Sequence, residues 1–475
     1  MQPRTTFVAV TIVWSVVLFG GATSAREKEP LTPAELADRT MHRRAIEAVI
    51  WGMPAVNFDR LNQAMHRAQG GPNQVIYWSR PLDWKNQTLT PNPDTIYLMP
   101  FYNTQGGPVV LEIPPADEGS ITGSVDDAWQ NALEDVGPAG VDKGRGGKYL
   151  ILPPNYAKKI PADYIPLRSD TFQGFAILRS NLKSGSDADV ARAVAYGKRI
   201  KFYPLAQAGS APTTKFVDAY GVLFDATIPY DVRFFESLDR VVQVEPWLVR
   251  DKAMIDILKS LGIEKGKSFT PNAKARSILE EAAREAHAVL EMWYEAVFVP
   301  PFNEGTHWAL PASAEVAEGM PTFFAKPNSY PTDGRGVTYS MAYFSAKHLG
   351  AGQFYLMTIK DKEGRSFEGS GTYRVTVPAD APVKLYWSAT TYDRATHALI
   401  RDQERSSRSS NSSSLQKNAD GSVDVYFGPK APQGKDSNWV PTRADGSFEV
   451  LFRFYGPQKP LFDKTWRLPD IERIP

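Results

Sequence analysis

Residues Val383–Asp393 read V-K-L-Y-W-S-A-T-T-Y-D. In an extended chain alternate side chains point to opposite faces, so Val383, Leu385, Trp387, Ala389 and Thr391 share one face. Lys384, Tyr386, Ser388, Thr390 and Tyr392 share the other. The first face is apolar around a tryptophan. The second is a ladder of hydroxyls and rings, suited to a wet sheet surface or to a polar cleft. Outward from this strand, residues 338–342, 353–358, 371–377, 422–427 and 447–455 also carry strand patterns. The connections 360–364 and 417–421 end in Glu-Gly and Asp-Gly, as hairpin turns do.

Further toward the N-terminus, residues 181–300 change to helical texture. Val190, Ala193, Val194 and Gly197 line one side of a first helix. Ile278, Leu279, Ala282, Ala286, Val289, Leu290 and Trp293 line the longest one. The Pro-rich stretch 300–331 holds a domain boundary and is the expected site of first proteolytic cleavage. Residues 75–180 again show short β-branched and aromatic runs between Pro, Gly, Asn and Asp, which argues for a sandwich or jelly roll. Before them, Thr32-Pro33-Ala34-Glu35 is a capping box opening a helix. Gly52 and Pro54 are expected to interrupt that helix, with a second one over 57–67.

The chain has 475 residues, 42% hydrophobic and 23% charged, enough for two or three domains. Its formal net charge of +1 gives no sign of a nucleic-acid partner. Residues 1–25 read as a secretory signal peptide: Arg4, an apolar run over 7–18, and Thr23-Ser24-Ala25 before the cleavage point. The run is shorter than the ~20 residues a spanning helix needs, so no stable membrane span is expected after cleavage. A retained anchor is the alternative. With no cysteine, there is no disulfide, thiol nucleophile or thiolate metal site, which fits a bacterial periplasmic or secreted protein.

Several motifs resemble a known pairing of bacterial families. Thr90-Pro91-Asn92-Pro93-Asp94-Thr95-Ile96-Tyr97, Asp127-Ala128-Trp129-Gln130-Asn131 and Gly146-Gly147-Lys148-Tyr149 are similar to the family called domain of unknown function 1254. Tyr386-Trp387-Ser388, Tyr392-Asp393, Asn418-Ala419-Asp420-Gly421-Ser422, Asn438-Trp439-Val440-Pro441 and Arg453-Phe454-Tyr455-Gly456-Pro457 are similar to domain of unknown function 1214. The resemblance implies two jelly-roll-like β-sandwiches joined by helices, similar to peptide-N-glycanase and some viral capsid proteins, and it implies no activity. The chain departs from the pattern in the Ser- and Arg-rich run 406–414. The expected fold is therefore mainly β with a helical middle section. The signal peptide occupies 1–25, an N-terminal sandwich with leading helices 26–180, a helical connection 181–320, and a C-terminal sandwich 321–475.

The chemistry on offer is carboxylate, hydroxyl and aromatic. Asp94 and Asp127 are the acid/base candidates, with Tyr97 and Arg405 stabilising charge. Asn92, Trp129, Asn131, Trp387, Tyr392 and Trp439 are candidate substrate contacts. Asp94, Asp127 and Tyr97 are expected to converge at one pocket of the N-terminal sandwich. Each has a plainer reading: Asp94 and Thr95 as turn formers that satisfy backbone donors, the rings as sandwich core. Asp126, Asp127, Asn131, Glu134 and Asp135 form the densest acidic group, which would suit a hard cation such as Ca²⁺. No other cofactor is expected, because the six histidines show no ligand spacing. The reading is an envelope hydrolase acting on a glycan, glycoconjugate or small polar substrate, alternatively a non-catalytic carbohydrate- or ligand-binding protein, with a homo-oligomer allowed.

Overall fold

The computed structural model describes residues 30–342, 346–348, 350 and 352–475. The signal segment lies outside them. Helices α1 (Pro33–Arg67), α2 (Asp187–Gly197), α3 (Val232–Val244), α4 (Lys252–Leu258), α5 (Ala273–Val297), α6 (Ala314–Gly319) and α7 (Thr332–Met341) alternate with four larger sheets and one two-stranded ribbon. About 29% of the chain is helical and 25% is strand, so the fold is mixed rather than mainly β.

In the N-terminal part a six-stranded sheet faces a four-stranded one. The larger runs Phe216–Asp218, Gln74–Tyr77, Ile96–Asn103, Gln173–Ser180, Ile121–Asp127, Ala132–Val136. The smaller runs Lys201–Pro204, Val109–Ile113, Gly147–Leu152, Ile165–Arg168. Leu98, Tyr102, Leu111, Ile151 and Leu178 belong to the core they enclose. Lys201–Pro204 and Phe216–Asp218 thus carry this unit beyond residue 180. In the C-terminal part Gln353–Thr358, Phe448–Pro457, Val383–Asp393 and Ser407–Ser409 form one sheet. Trp439–Pro441, Val423–Gly428, Thr372–Val377 and Glu472–Ile474 form the other. Leu356, Trp387, Phe452, Val375 and Phe427 fill the space between.

The helices are a layer in their own right. Tyr97, Met99, Phe175 and Ile177 on the outer face of the six-stranded sheet, and Tyr355, Met357, Tyr392 and Leu451 on the outer face of the C-terminal sheet, join one apolar core with α1, α3, α5 and α7. Two faces of the strand Val383–Asp393 therefore serve two cores. Trp387 and Ala389 point into the C-terminal sandwich, while Tyr392 points toward the helical layer.

Two sequence expectations are corrected. Helix α1 is continuous through Gly52 and Pro54 for 35 residues. Pro54 has no N–H to give the carbonyl of Ile50, and that carbonyl faces Gly336 of α7, where a Cβ would lie 2.9 Å away. Gly52 admits the Leu238 side chain of α3 at a distance where a Cβ would meet it at 3.0 Å. Residues 338–341, expected as strand, are the end of α7, whose residues Arg335–Met341 are all buried. A helix buried all round has no polar stripe to betray its period.

Candidate functional site

The loop Thr90–Thr95 enters the strand Ile96–Asn103 and meets the hydroxyl ladder of the C-terminal domain. Asn92 Oδ1 accepts the Asp94 N–H at 2.9 Å, so Asn92 makes the Asx turn, whereas Asp94 and Thr95, the expected turn formers, turn their side chains to Ser407 and to the Ser180 carbonyl. Asn92 Nδ2 donates to Tyr455 at 2.7 Å and Tyr386 at 3.1 Å, whose rings stack 4.4 Å apart. The Tyr97 hydroxyl accepts from the Asn92 N–H at 3.0 Å and from Arg179 Nε at 3.3 Å. Tyr392 donates to the Pro91 carbonyl at 2.6 Å. Asp94 accepts from Ser407 at 2.6 Å. Burial raises its pKa above the ordinary aspartate value, against the lowering pull of Ser407 and Arg453. Asn92, Asp94, Tyr97 and Tyr392 are therefore brought together, at the contact of the two domains rather than in a pocket of one.

Asp127 is not with them. Ile96 pairs with Ser180 at one end of the six-stranded sheet, and Asp127 pairs with Gly174, opposite Tyr102, at the other. Six residues of strand, roughly 20 Å, separate the ends. Asp127 closes its own hairpin, accepting from the N–H groups of Trp129 (2.8 Å) and Asn131 (2.9 Å) and from Asn131 Nδ2 (2.9 Å). Arg335 binds the Trp129 carbonyl and, at 3.4 Å, Asn131 Oδ1. Trp129 packs on Trp51. The acidic group does not gather into a cation cage: Glu134 is paired with Lys347, and Asp135 with His348 and Ser124. Among the described residues no group of three or more His, Asp or Glu is arranged to hold a metal. Trp387 is core, stacked on Phe452. Arg405 lies over Trp439 at 5.7 Å and donates to the Asp436 carbonyl at 2.8 Å, apart from the Asn92 cluster.

A constellation the sequence reading passed over lies beside this cluster. Glu291 of α5 holds Arg394 at 2.7 Å, His397 at 3.6 Å and His287 at 3.7 Å. His397, 4% exposed in its side chain, turns its other ring nitrogen to Glu449 at 2.8 Å. Glu449 also accepts from Tyr294 at 2.7 Å. Burial would raise the Glu291 pKa, but bonds from His287, His397 and Arg394 outweigh it and hold the carboxylate ionised, well below the usual range. Burial opposes charge on His397, yet Glu449 and Glu291 lift its pKa to about 9. The His397 carbonyl accepts the Thr90 N–H at 2.7 Å, which ties the constellation to the Asn92 loop.

His287, Glu291, Arg394, Arg401 and Arg443 line a surface groove of about 560 Å³, within the usual range for small-molecule sites. A larger groove of about 630 Å³ at the end of α5 is mostly apolar, its charged lining being Asp333 and Lys464. One signal for the missed constellation stood in the sequence. Phe448-Glu449-Val450-Leu451-Phe452-Arg453-Phe454 carries two charges inside an apolar strand run, and buried charges need partners.

The fold and the two clusters define a protein of paired β-sandwiches with a helical layer between them. Residues 72–204 match the family described as "Protein of unknown function (DUF1254)" and residues 352–459 match "Protein of unknown function (DUF1214)". The chain carries both domains, in the order its motifs imply. The crystal structure of the VPA0106 protein from Vibrio parahaemolyticus is similar in fold, with a TM-score of 0.55 at 18% identity over 92% of this chain and 100% of that one. An uncharacterized protein from Burkholderia cenocepacia aligns with a TM-score of 0.37 at 10% identity, over 94% of this chain and 91% of that one. No curated protein matches.

Proposed function

We propose that this chain is a non-catalytic binding protein for a small, polar, hydroxylated ligand of carbohydrate type, held in the groove beside α5. The carrying observation is Glu291, one-third exposed in that groove and pinned as an anion by two histidines and an arginine. Such a carboxylate is a ready acceptor for ligand hydroxyls and a poor general base, since its affinity for a proton is low. The carboxylates with raised pKa (Asp94, Asp127, Asp239 and Glu245) do not line the groove, which weakens the hydrolase reading. The rim guanidinium Arg443 pairs with the solvent-exposed Asp445, a pair weak enough to exchange for a ligand, while Arg401 is held by the half-buried Asp225 and by Gln87.

Calorimetric titration with neutral and acidic mono- and oligosaccharides should find a binder. Glu291→Gln should weaken it roughly 10- to 100-fold, as for a lost charged hydrogen bond. Arg443→Met, at the rim, should weaken acidic sugars with an unchanged melting temperature. Glycoside turnover that disappears in Glu291→Gln would replace this reading with the hydrolase; no binding across the panel would remove it.

We also propose that the protein is exported and cleaved after Ala25, on the pattern of Arg4, the apolar run and Thr23-Ser24-Ala25. Among the described residues no helix is long and apolar enough to cross a membrane. N-terminal sequencing of periplasmic protein should begin at Arg26, and full-length chain recovered from cytosol would refute export. Each sheet pair reads as a jelly-roll-like sandwich, supported by sheet neighbours that are not consecutive in sequence.

A further inference from the structure

A second cavity, small and only partly open, lies where the two domains meet, separate from the groove. Arg179, from the strand Gln173–Ser180, and Arg453, from the strand Phe448–Pro457, both line it. They are 7% and 2% exposed. Arg453 donates to Thr390 Oγ1 at 2.9 Å, to the carbonyls of Thr90 and Pro91 at 2.8 and 3.1 Å, and to the Tyr392 hydroxyl. Arg179 donates through Nε to the Tyr97 hydroxyl. Its two terminal nitrogens have no hydrogen-bond partner among the described residues. Every acceptor on the two guanidiniums is neutral, and among the described residues neither forms an ion pair. The acid connected to them is Asp94, reached from Arg453 only through the hydroxyls of Thr390 and Ser407.

Two like charges lining one small chamber repel, and each has lost most of its contact with bulk solvent. Buried guanidiniums are ordinarily paired for that reason. The hydroxyls and carbonyls around them supply dipoles, and the acid that feels Arg453, Asp94, lies beyond two hydroxyls and does not line the cavity. The cavity measures about 30 Å³, more than one water requires and too little for phosphate or a sugar. Met341, Met357 and Leu451 form its apolar wall, which disfavours strongly hydrated ions. We propose that this cavity is a binding site for one small, weakly hydrated monovalent anion, of halide or nitrate size, bridging Arg179 and Arg453 and thereby joining the two domains.

The full mature chain, exchanged into glutamate (an anion too large to enter), is melted while sodium bromide, chloride or nitrate replaces glutamate at constant ionic strength. A saturable rise of roughly 3 °C is expected at a hundredfold excess over Kd. Arg179→Met should abolish the anion-specific rise. Because that variant could misfold, the deciding measurement uses the wild-type protein. Crystals soaked in bromide should show an anomalous peak between the two guanidiniums. A melting temperature indifferent to the anion, or bromide peaks only at the surface, would overturn the proposal.

Discussion

His397 holds its backbone at φ +54° and Thr90, its hydrogen-bonded partner, at φ +41°. A β-branched residue in the left-handed region is strained, so the surroundings must compensate. Part of the compensation is electrostatic and depends on pH. The folded pKa of His397 stands near 9 against an ordinary 6.5, so folding favours the protonated ring. That stabilisation is fully present below pH ~6.5 and is lost as pH rises through ~9; it amounts to something on the order of 3 kcal/mol. Urea unfolding of wild type and His397→Gln at several pH values should show a stability gap that is widest at pH 6 and closes by pH 10. Parallel pH profiles for the two proteins would rule this out. At this scale the sequence was legible where partners are near neighbours: a turn forms in the loop before Ile96 as expected, although its side-chain acceptor is Asn92 rather than Asp94 or Thr95. It was silent where they are distant, as with Glu291 and His397, because residue type sets what a group needs and not which remote group supplies it.

At the scale of elements, α1 and α7 meet through an absent side chain. Gly→Ala inside a helix normally adds stability by propensity, about 1 kcal/mol. At Gly336 the new Cβ would press on the Ile50 carbonyl at 2.9 Å, and backbone cannot swing aside. Gly336→Ala should therefore destabilise by roughly 1–3 kcal/mol. Gly209→Ala, in the exposed 3₁₀ turn Leu205–Ser210 with nothing within 4 Å, is the control for an added methyl that meets no neighbour. Chemical denaturation of both variants checks this, and a stabilised Gly336→Ala would show that the helices have room to separate. Element type was legible where one face is wet: the capping box at Thr32 forms, with Glu35 accepting the Thr32 N–H at 2.8 Å. It failed for α7 because burial on every side erased the pattern. It failed at Pro54 because the missing hydrogen bond is tolerated through tertiary packing.

For the whole molecule, the β texture at either end and the helical middle were readable, since alternation and turn residues are local. The arrangement was not: nothing in residues 181–300 says that they pack between two sheets together with α1. The hydroxyl ladder of Val383–Asp393 looked fit for a wet face or a polar cleft, and most of it is instead a buried contact with the Asn92 loop. This arrangement alters what cleavage in the 300–331 stretch should do. Residues 325–329 are exposed, so proteinase K should nick there first. The pieces should still co-elute on native gel filtration, because α1 from one piece packs on α7 from the other. Fragments that separate without denaturant would mean that the helical layer does not hold the halves together.

Helix α1 also imposes an order in time. Its buried stretch, Ala45 to Met65, finds its main helical partners in α3, α5 and α7, and α7 ends at Met341. A ribosome adding 5–20 residues per second takes roughly 15–55 s to travel from the end of α1 to the end of α7. During that interval the buried stretch of α1 gains its cover stepwise, from α3 and then α5, and the cover is complete only when α7 has been made. The nascent chain is thus a natural client for a holding chaperone, and its folding is post-translational in its central layer even if the first sandwich closes early.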